Sequence, residues 1–219
     1  MKLKWIFPMI SAATVWAQAP ATPTAMSREQ ANLPEWGRQF VDALQVQSGS
    51  TVADVGAGSG KFLPVWSAAV GSAGRVIAED IDKRSLDQAR KLSEDRKSQN
   101  VEFVLGTATD AMLPERCADL IIVIDAYHEF KYPAEMLASL SKALKNDGRL
   151  AIIDFYKPDK PTRGLPVPEH IRLNKDEAIN EIVSNGFRLL SGRDFMQGKQ
   201  YVAIFVQDHA VPDLTHPRP

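Results

Sequence analysis

Short apolar runs alternate with longer amphipathic stretches along this chain. The runs at residues 52–55, 75–81, 101–105 and 119–124 are brief and partly β-branched, which predicts buried strands. The run at 119–124 is almost wholly apolar, as expected of a strand covered on both faces. Residues 61–70, 83–99, 133–144 and 175–185 predict helices between and after them. Leu86, Ala89 and Leu92 or Ser93 form the inner stripe of the helix at 83–99; Ile179, Ile182 and Val183 form that of the last. Residues 27–46 add a helix ahead of the first strand. Its apolar face holds Trp36, Phe40, Val41 and Leu44, with Ser27 and Gln30 as a capping box. Residues 145–148 end the helix at 133–144, and 149–154 predict a fifth strand. Two further strands, 187–195 and 200–206, are joined by residues 196–199. Such alternation predicts an α/β, doubly wound sheet.

The first strand runs directly into Gly56-Ala57-Gly58-Ser59-Gly60. Glycines turn the chain tightly and admit a ligand where a side chain would block it. A strand, a glycine turn and a helix N-terminus together make a nucleotide-type pocket at the carboxyl end of a sheet. The second strand ends in Glu79 and Asp80, and Asp80 lies 20 residues after Gly60. That is near the distance at which a carboxylate accepts hydrogen bonds from ribose hydroxyls. The competing reading of both acids is a solvated strand end.

Together the two motifs resemble those of class I S-adenosylmethionine-dependent methyltransferases. Residues 52–60 (VADVGAGSG) are similar to that family's first motif and 75–82 (RVIAEDID) to its second, within a resemblance running from about residue 28 to 207. The resemblance implies a Rossmann-like seven-stranded sheet of order 3-2-1-4-5-7-6 with strand 7 antiparallel. It implies S-adenosylmethionine as cofactor and a small or medium molecule as methyl acceptor. It also implies that the cofactor lies against Gly56, Gly58 and Gly60, with Asp80 on the ribose and Ile81 against adenine. Asp54 would orient the glycine loop or meet the amino end of the methionine moiety, and Asp125 would contact the methionine side. An acid that often follows the third-strand glycine is replaced here by Thr107. The adenine amine would then rely on backbone groups, the Thr107 hydroxyl or Asp110, which reads equally well as a helix cap. Of a frequent Pro-Gly-Gly turn before the fifth strand, only Gly148 remains.

Beyond the fourth strand stand Asp125-Ala126-Tyr127-His128-Glu129-Phe130. Chemistry in such sheets sits at the carboxyl ends of strands. His128 can take a proton near neutral pH. Tyr127 can hydrogen-bond or shape the acceptor site, and Glu129 can orient or charge-stabilise the imidazole. The alternative is that Tyr127 and Phe130 pack under a helix while His128 caps or contacts the cofactor backbone. Residues 155–170, rich in Pro, Lys and Gly, read as an acceptor-side loop, and His170 faces either the pocket or the surface. No histidine pair at i, i+4 is present, so no metal is expected.

Composition narrows the rest. With 44% hydrophobic and 24% charged residues, the chain is ordinary globular material, and a net charge of −1 offers no field for nucleic acid. The one cysteine, Cys117, allows no internal disulfide and reads as a small apolar residue. Lys2 and Lys4, an apolar stretch at 5–16 and Ala17-Gln18-Ala19 form a secretory signal pattern. Residues 1–19 are therefore expected as a signal peptide, 20–26 as a flexible linker, 27–207 as the domain and 208–219 as a disordered tail. The mature protein would be periplasmic or secreted, without stable membrane insertion. Two other functions stay open: an exported nucleoside-binding protein without turnover, and a nicotinamide-linked oxidoreductase. The G-x-G-x-G spacing, the lack of a Tyr-x-x-x-Lys pair and the closing hairpin count against the second.

Overall fold

The computed structural model describes residues 32–157 and 171–208. The expectations for the signal peptide, the linker, Ser27 as a cap, His170 and the tail after Asp208 lie outside the described residues.

Seven strands form one sheet of order β3-β2-β1-β4-β5-β7-β6. They are β1 (Thr51–Val55), β2 (Arg75–Asp80), β3 (Val101–Leu105), β4 (Ala118–Ile124), β5 (Leu144–Phe155), β6 (Phe187–Phe195) and β7 (Gln200–Gln207). β1 to β5 pair in parallel, and β7 inserts antiparallel between β5 and β6. The expected doubly wound architecture is therefore the one observed. Period-two alternation along the central strands feeds two cores. Val52, Leu120, Ile122 and Ile153 face one side, and Ala53, Ile121, Val123 and Ile152 the other. The first side is covered by α1 (Glu35–Leu44), α2 (Leu63–Val70) and α3 (Lys83–Asp95), through Phe40, Leu44, Trp66 and Ala89. The second is covered by α4 (Pro133–Ala143) and α5 (Lys175–Ser184), through Leu137, Leu140, Ala178 and Ile182.

Local signals explain most boundaries. Pro64 lies in the first turn of α2, where its missing N–H is no loss. Asp82 caps α3 by accepting from the Arg84 N–H, and Asn174 with Glu177 closes a capping box on α5. Three expectations need correction and one open alternative is decided. Trp36, expected on the inward face of the first helix, is 38% exposed, with its ring edge-on to Phe40 and Phe62. Residues 145–148 do not form a separate turn; β5 starts at Leu144, and its pairing with β4 jumps from Ala118↔Leu144 to Leu120↔Arg149 across a bulge. Val183 is 43% exposed, because the buried face of α5 runs through Ala178 and Ile182. Asp110 caps no helix: residues 106–117 form an irregular connection, and its carboxylate accepts from the Met112 N–H and the Ser139 hydroxyl of α4.

The order of strands reverses between β1 and β4. The crevice left there at the carboxyl ends is where an open α/β sheet receives its ligand.

Candidate active site

A cavity of about 1180 Å³ occupies this crevice. It spans from the β2 end, with Glu79, Asp80, Ile81 and Asp82, across Gly56 and Gly58, to the segments after β4 and β5. That volume suits a nucleoside with a second small molecule beside it.

The glycine loop forms one wall. Gly56 adopts φ 73°, a conformation costly for any residue with a Cβ, and a Cβ here would stand 2.7 Å from Ala126. The loops after β1 and β4 thus touch, and only glycine permits it. Gly58 donates its N–H to Asp80 Oδ2 at 2.8 Å, while Asp80 Oδ1 accepts from the Asp82 N–H at 2.8 Å. Each carboxylate oxygen keeps a second lone pair for a ligand hydroxyl. Gly60 is not part of the cavity wall; a Cβ on it would lie 2.9 Å from Ala89, so it lets α3 approach the loop.

Two further acids lie beneath this wall. Asp54 is 2% exposed, and its Oδ2 accepts from the Trp66 indole N–H at 3.0 Å. It faces α2 and does not line the cavity; burial raises its pKa to about 7. Glu79 is 1% exposed, which rules out the competing reading of a solvated strand end for it. Its Oε2 accepts from the Gly56 N–H at 3.3 Å, and its Oε1 is buried without a hydrogen-bond partner among the described residues. Burial pushes this carboxyl up to about 8, against the opposing pull of the Gly56 bond. Alternation from Ile77 could have placed Glu79 on a covered face. Gly106 opposite leaves room for it, since a Cβ there would fall 1.8 Å from Oε1.

Thr107 lines the cavity; its hydroxyl accepts from the Asp110 N–H at 3.0 Å. Ile81 is 61% exposed at the cavity rim. Asp125 also lines it, with φ 53°, a strained conformation for a residue with a Cβ. Its Oδ1 accepts from Gln200 Nε2 of β7 at 2.6 Å.

The segment after β4 turns as a short 3₁₀ helix, Tyr127–Glu129, and sends three side chains in three directions. His128 lines the cavity. Its Nδ1 lies 2.7 Å from Asp154 Oδ1, and its backbone N–H donates to Asp154 Oδ2 at 3.0 Å. Asp154, 2% exposed near the end of β5, thus fixes both the backbone and the ring. Its hydrogen bond raises the His128 pKa above 6.5, with burial opposing. Nε2 lies on the other side of the ring, 4.0 Å from Glu129 Oε1. Glu129 lines the outer cavity. Tyr127 points away: it is 1% exposed, packs on Phe130, and its hydroxyl donates to Glu181 Oε1 at 2.7 Å. Glu181 in turn holds Arg172 by two hydrogen bonds of 2.8 Å, and Arg172 lines the cavity.

Asp154, Gln200, Arg172 and Lys157 were not picked out from sequence. For Asp154 a signal existed: a lone acid closing an apolar strand at its carboxyl end. Among the described residues no group of three His, Cys, Asp or Glu side chains could hold a metal.

A nucleoside fits these residues. Gly56 and Gly58 offer backbone without side chains, and Asp80 retains acceptor capacity for a diol. The fold and site thus define a Rossmann-like, nucleoside-binding α/β domain. Residues 46–205 match the family described as methyltransferase domain, and the chain belongs to that family. Its cofactor is accordingly S-adenosylmethionine. The ubiquinone/menaquinone biosynthesis C-methyltransferase UbiE of Marinomonas sp. (strain MWYL1) is 32% identical over 125 residues, covering 57% of this chain and 50% of that protein. The protein of the same name from Hahella chejuensis (strain KCTC 2396) is 28% identical over 127 residues, covering 58% and 51%. The chain therefore spans about half the length of these relatives. Among solved structures, a SAM-dependent methyltransferase from Aquifex aeolicus aligns with a TM-score of 0.71 at 24% identity, covering 82% of this chain and 93% of that one. The mitomycin 7-O-methyltransferase MmcR aligns with a TM-score of 0.65 at 19% identity, covering 78% and 53%.

Proposed function

We propose that this protein transfers a methyl group to a small acceptor bearing an ionisable hydroxyl, with His128 as general base. The observation that carries this reading is the His128–Asp154 pair at the cavity wall. S-adenosylmethionine supplies an electrophilic methyl on a positively charged sulfur. The chain supplies alignment, a sheltered site and a proton acceptor. Asp80 and the glycine wall hold the nucleoside end, and Asp125, braced by Gln200, faces the methionine end. Asp154 accepts from Nδ1–H and so holds the neutral ring with Nε2 as its basic nitrogen. That nitrogen takes the acceptor's proton, and Asp154 and Glu129 stabilise the imidazolium that results. The relatives' names specify C-methylation in quinone biosynthesis, and a ring carbon becomes nucleophilic when a ring hydroxyl loses its proton. That supports a phenol-type acceptor for this chain as well.

Titration with S-adenosylmethionine, S-adenosylhomocysteine and NAD tests the cofactor, and binding of NAD alone ends the methyltransferase reading. Labelled methyl transfer over phenols, amines and thiols tests turnover. His128→Ala should cut turnover by roughly 10²-fold while leaving cofactor affinity nearly unchanged; equal turnover removes it from the chemistry. We further propose that the protein is exported, on the strength of the basic and apolar N-terminal composition. Mass spectrometry of the protein from the periplasm or medium would find an N-terminus near residue 20; an intact Met1 in the cytoplasm would reject it.

A further inference from the structure

The cavity is electrically polarised across the sheet. On the β2 side its wall carries Asp80 and Asp82, with Asp125 at the β4 end. On the opposite side, toward β5 and α5, the wall carries Lys131, Lys157 and Arg172. A cationic donor belongs at the acidic end. The basic end then faces whatever receives the methyl group.

Two of the three basic groups are built into the wall. Arg172 is half-buried and braced by Glu181, which Tyr127 holds from behind. Its Nε is sheltered from solvent and has no acceptor among the described residues. Lys157 is half-buried, and its ammonium donates to the Arg172 carbonyl at 3.2 Å, which leaves two donors uncommitted by that bond. Lys131 stands at the rim with no ion-pair partner among the described residues. Glu129 is the one cavity-lining carboxylate on this side among the described residues; it is exposed at the outer cavity, with Oε1 4.0 Å from His128 Nε2, and is outnumbered by the three basic groups.

We propose that the methyl acceptor is an anion: a small molecule carrying a carboxylate in addition to the hydroxyl that His128 deprotonates, its carboxylate received by Lys157 and Lys131 in front of Arg172. This inference rests on the methyl-transfer reading above. It also gives Tyr127 a place as a positioning residue, since its hydroxyl steadies the Glu181–Arg172 pair and not the reacting atoms.

The test is calorimetric titration of the full chain, saturated with S-adenosylhomocysteine, with 4-hydroxybenzoate and its uncharged analogue 4-hydroxybenzamide. The acid should bind about tenfold more tightly than the amide at low salt, with the preference shrinking at high salt. Lys157→Gln should reduce that preference about fivefold and Lys131→Gln about twofold, both with amide binding and S-adenosylhomocysteine affinity unchanged. Equal affinities, tighter binding of the amide, no binding of either probe, or a preference that survives the double variant overturns the inference. Failure of S-adenosylhomocysteine to bind would instead overturn the methyl-transfer reading, and this proposal with it.

Discussion

Replacing Glu79 by Gln should make the protein progressively more stable relative to the wild type as the pH rises from 5 to 8. Glu79 sits with 1% exposure under the glycine loop, and its carboxyl titrates at about 8 rather than the ordinary 4.5. Desolvation is the main cause, and the charges of Asp80, Asp54 and Asp110 add to it. The sign follows from proton counting. Below pH 4.5 both folded and unfolded chains hold the proton, and the group contributes no pH dependence. Between 4.5 and about 8 the unfolded chain releases it and the folded chain keeps it, so stability falls by about 1.4 kcal/mol per pH unit. At pH 7 this amounts to roughly 3 kcal/mol, and the loss levels off once pH passes about 8. Glutamine does not titrate. It keeps an oxygen for the Gly56 N–H and adds a pH-independent offset of about 1 kcal/mol for its imperfectly placed amide. Urea unfolding of both proteins at pH 5, 6, 7, 8 and 9 gives the difference directly. A difference that stays flat from pH 5 to 8 would refute the buried, protonated state of Glu79.

Three further outcomes are expected. Gly106→Ala should destabilise by about 2 kcal/mol, because the new Cβ meets Glu79 Oε1, and most of that loss should vanish in a Glu79→Ala background; a penalty unchanged in the double variant would place the clash elsewhere. Asp80→Ala should weaken S-adenosylhomocysteine binding by about 1–3 kcal/mol, since it removes a charged acceptor and unties Gly58; unchanged affinity by calorimetry would remove Asp80 from the ribose. In the wild type the acid limb of kcat/KM should lie above pH 6.5, because Asp154 stabilises the imidazolium. Asp154→Asn should move that limb down and reduce turnover by roughly 10²-fold; a limb that stays in place in the variant would rule out His128 as the titrating base.

The fold was legible because its signals are local. Short β-branched runs, a polar helix with one apolar stripe and a closing hairpin each follow from neighbours in sequence, and chirality leaves few ways to wind them. The errors fell where a non-local partner decides. Residues 145–148 look like a turn, yet β4 offers Ala118 as a partner for Leu144 and draws the strand backwards by a bulge. Val183 has the chemistry of a core residue. The side of α5 that meets the sheet is fixed instead by Ala178 and Ile182, and Val183 is left partly in water.

The site divides along the same line. Gly56, Gly58 and Asp80 could be read because one turn and one strand end carry them, and their spacing is set by a single β-α-β unit. Tyr127, His128 and Glu129 stand side by side in sequence, which leaves open whether Tyr127 shapes the acceptor site or packs with Phe130. In three dimensions they are separated by the partners they find: Glu181 on α5 draws Tyr127 away, Asp154 on β5 locks His128, and Glu129 is left at the outer cavity. Each partner lies between 26 and 54 residues downstream, on an element whose position only the assembled sheet defines. In the proposed reaction a base needs an orienting acid as much as its own imidazole, and that acid, Asp154, closes β5 rather than standing in the segment after β4. That is also why Asp154→Asn is more discriminating than His128→Ala. Losing the imidazole would impair catalysis under many mechanisms, whereas a shifted pH limb follows only if the distant carboxylate sets the basicity of the ring.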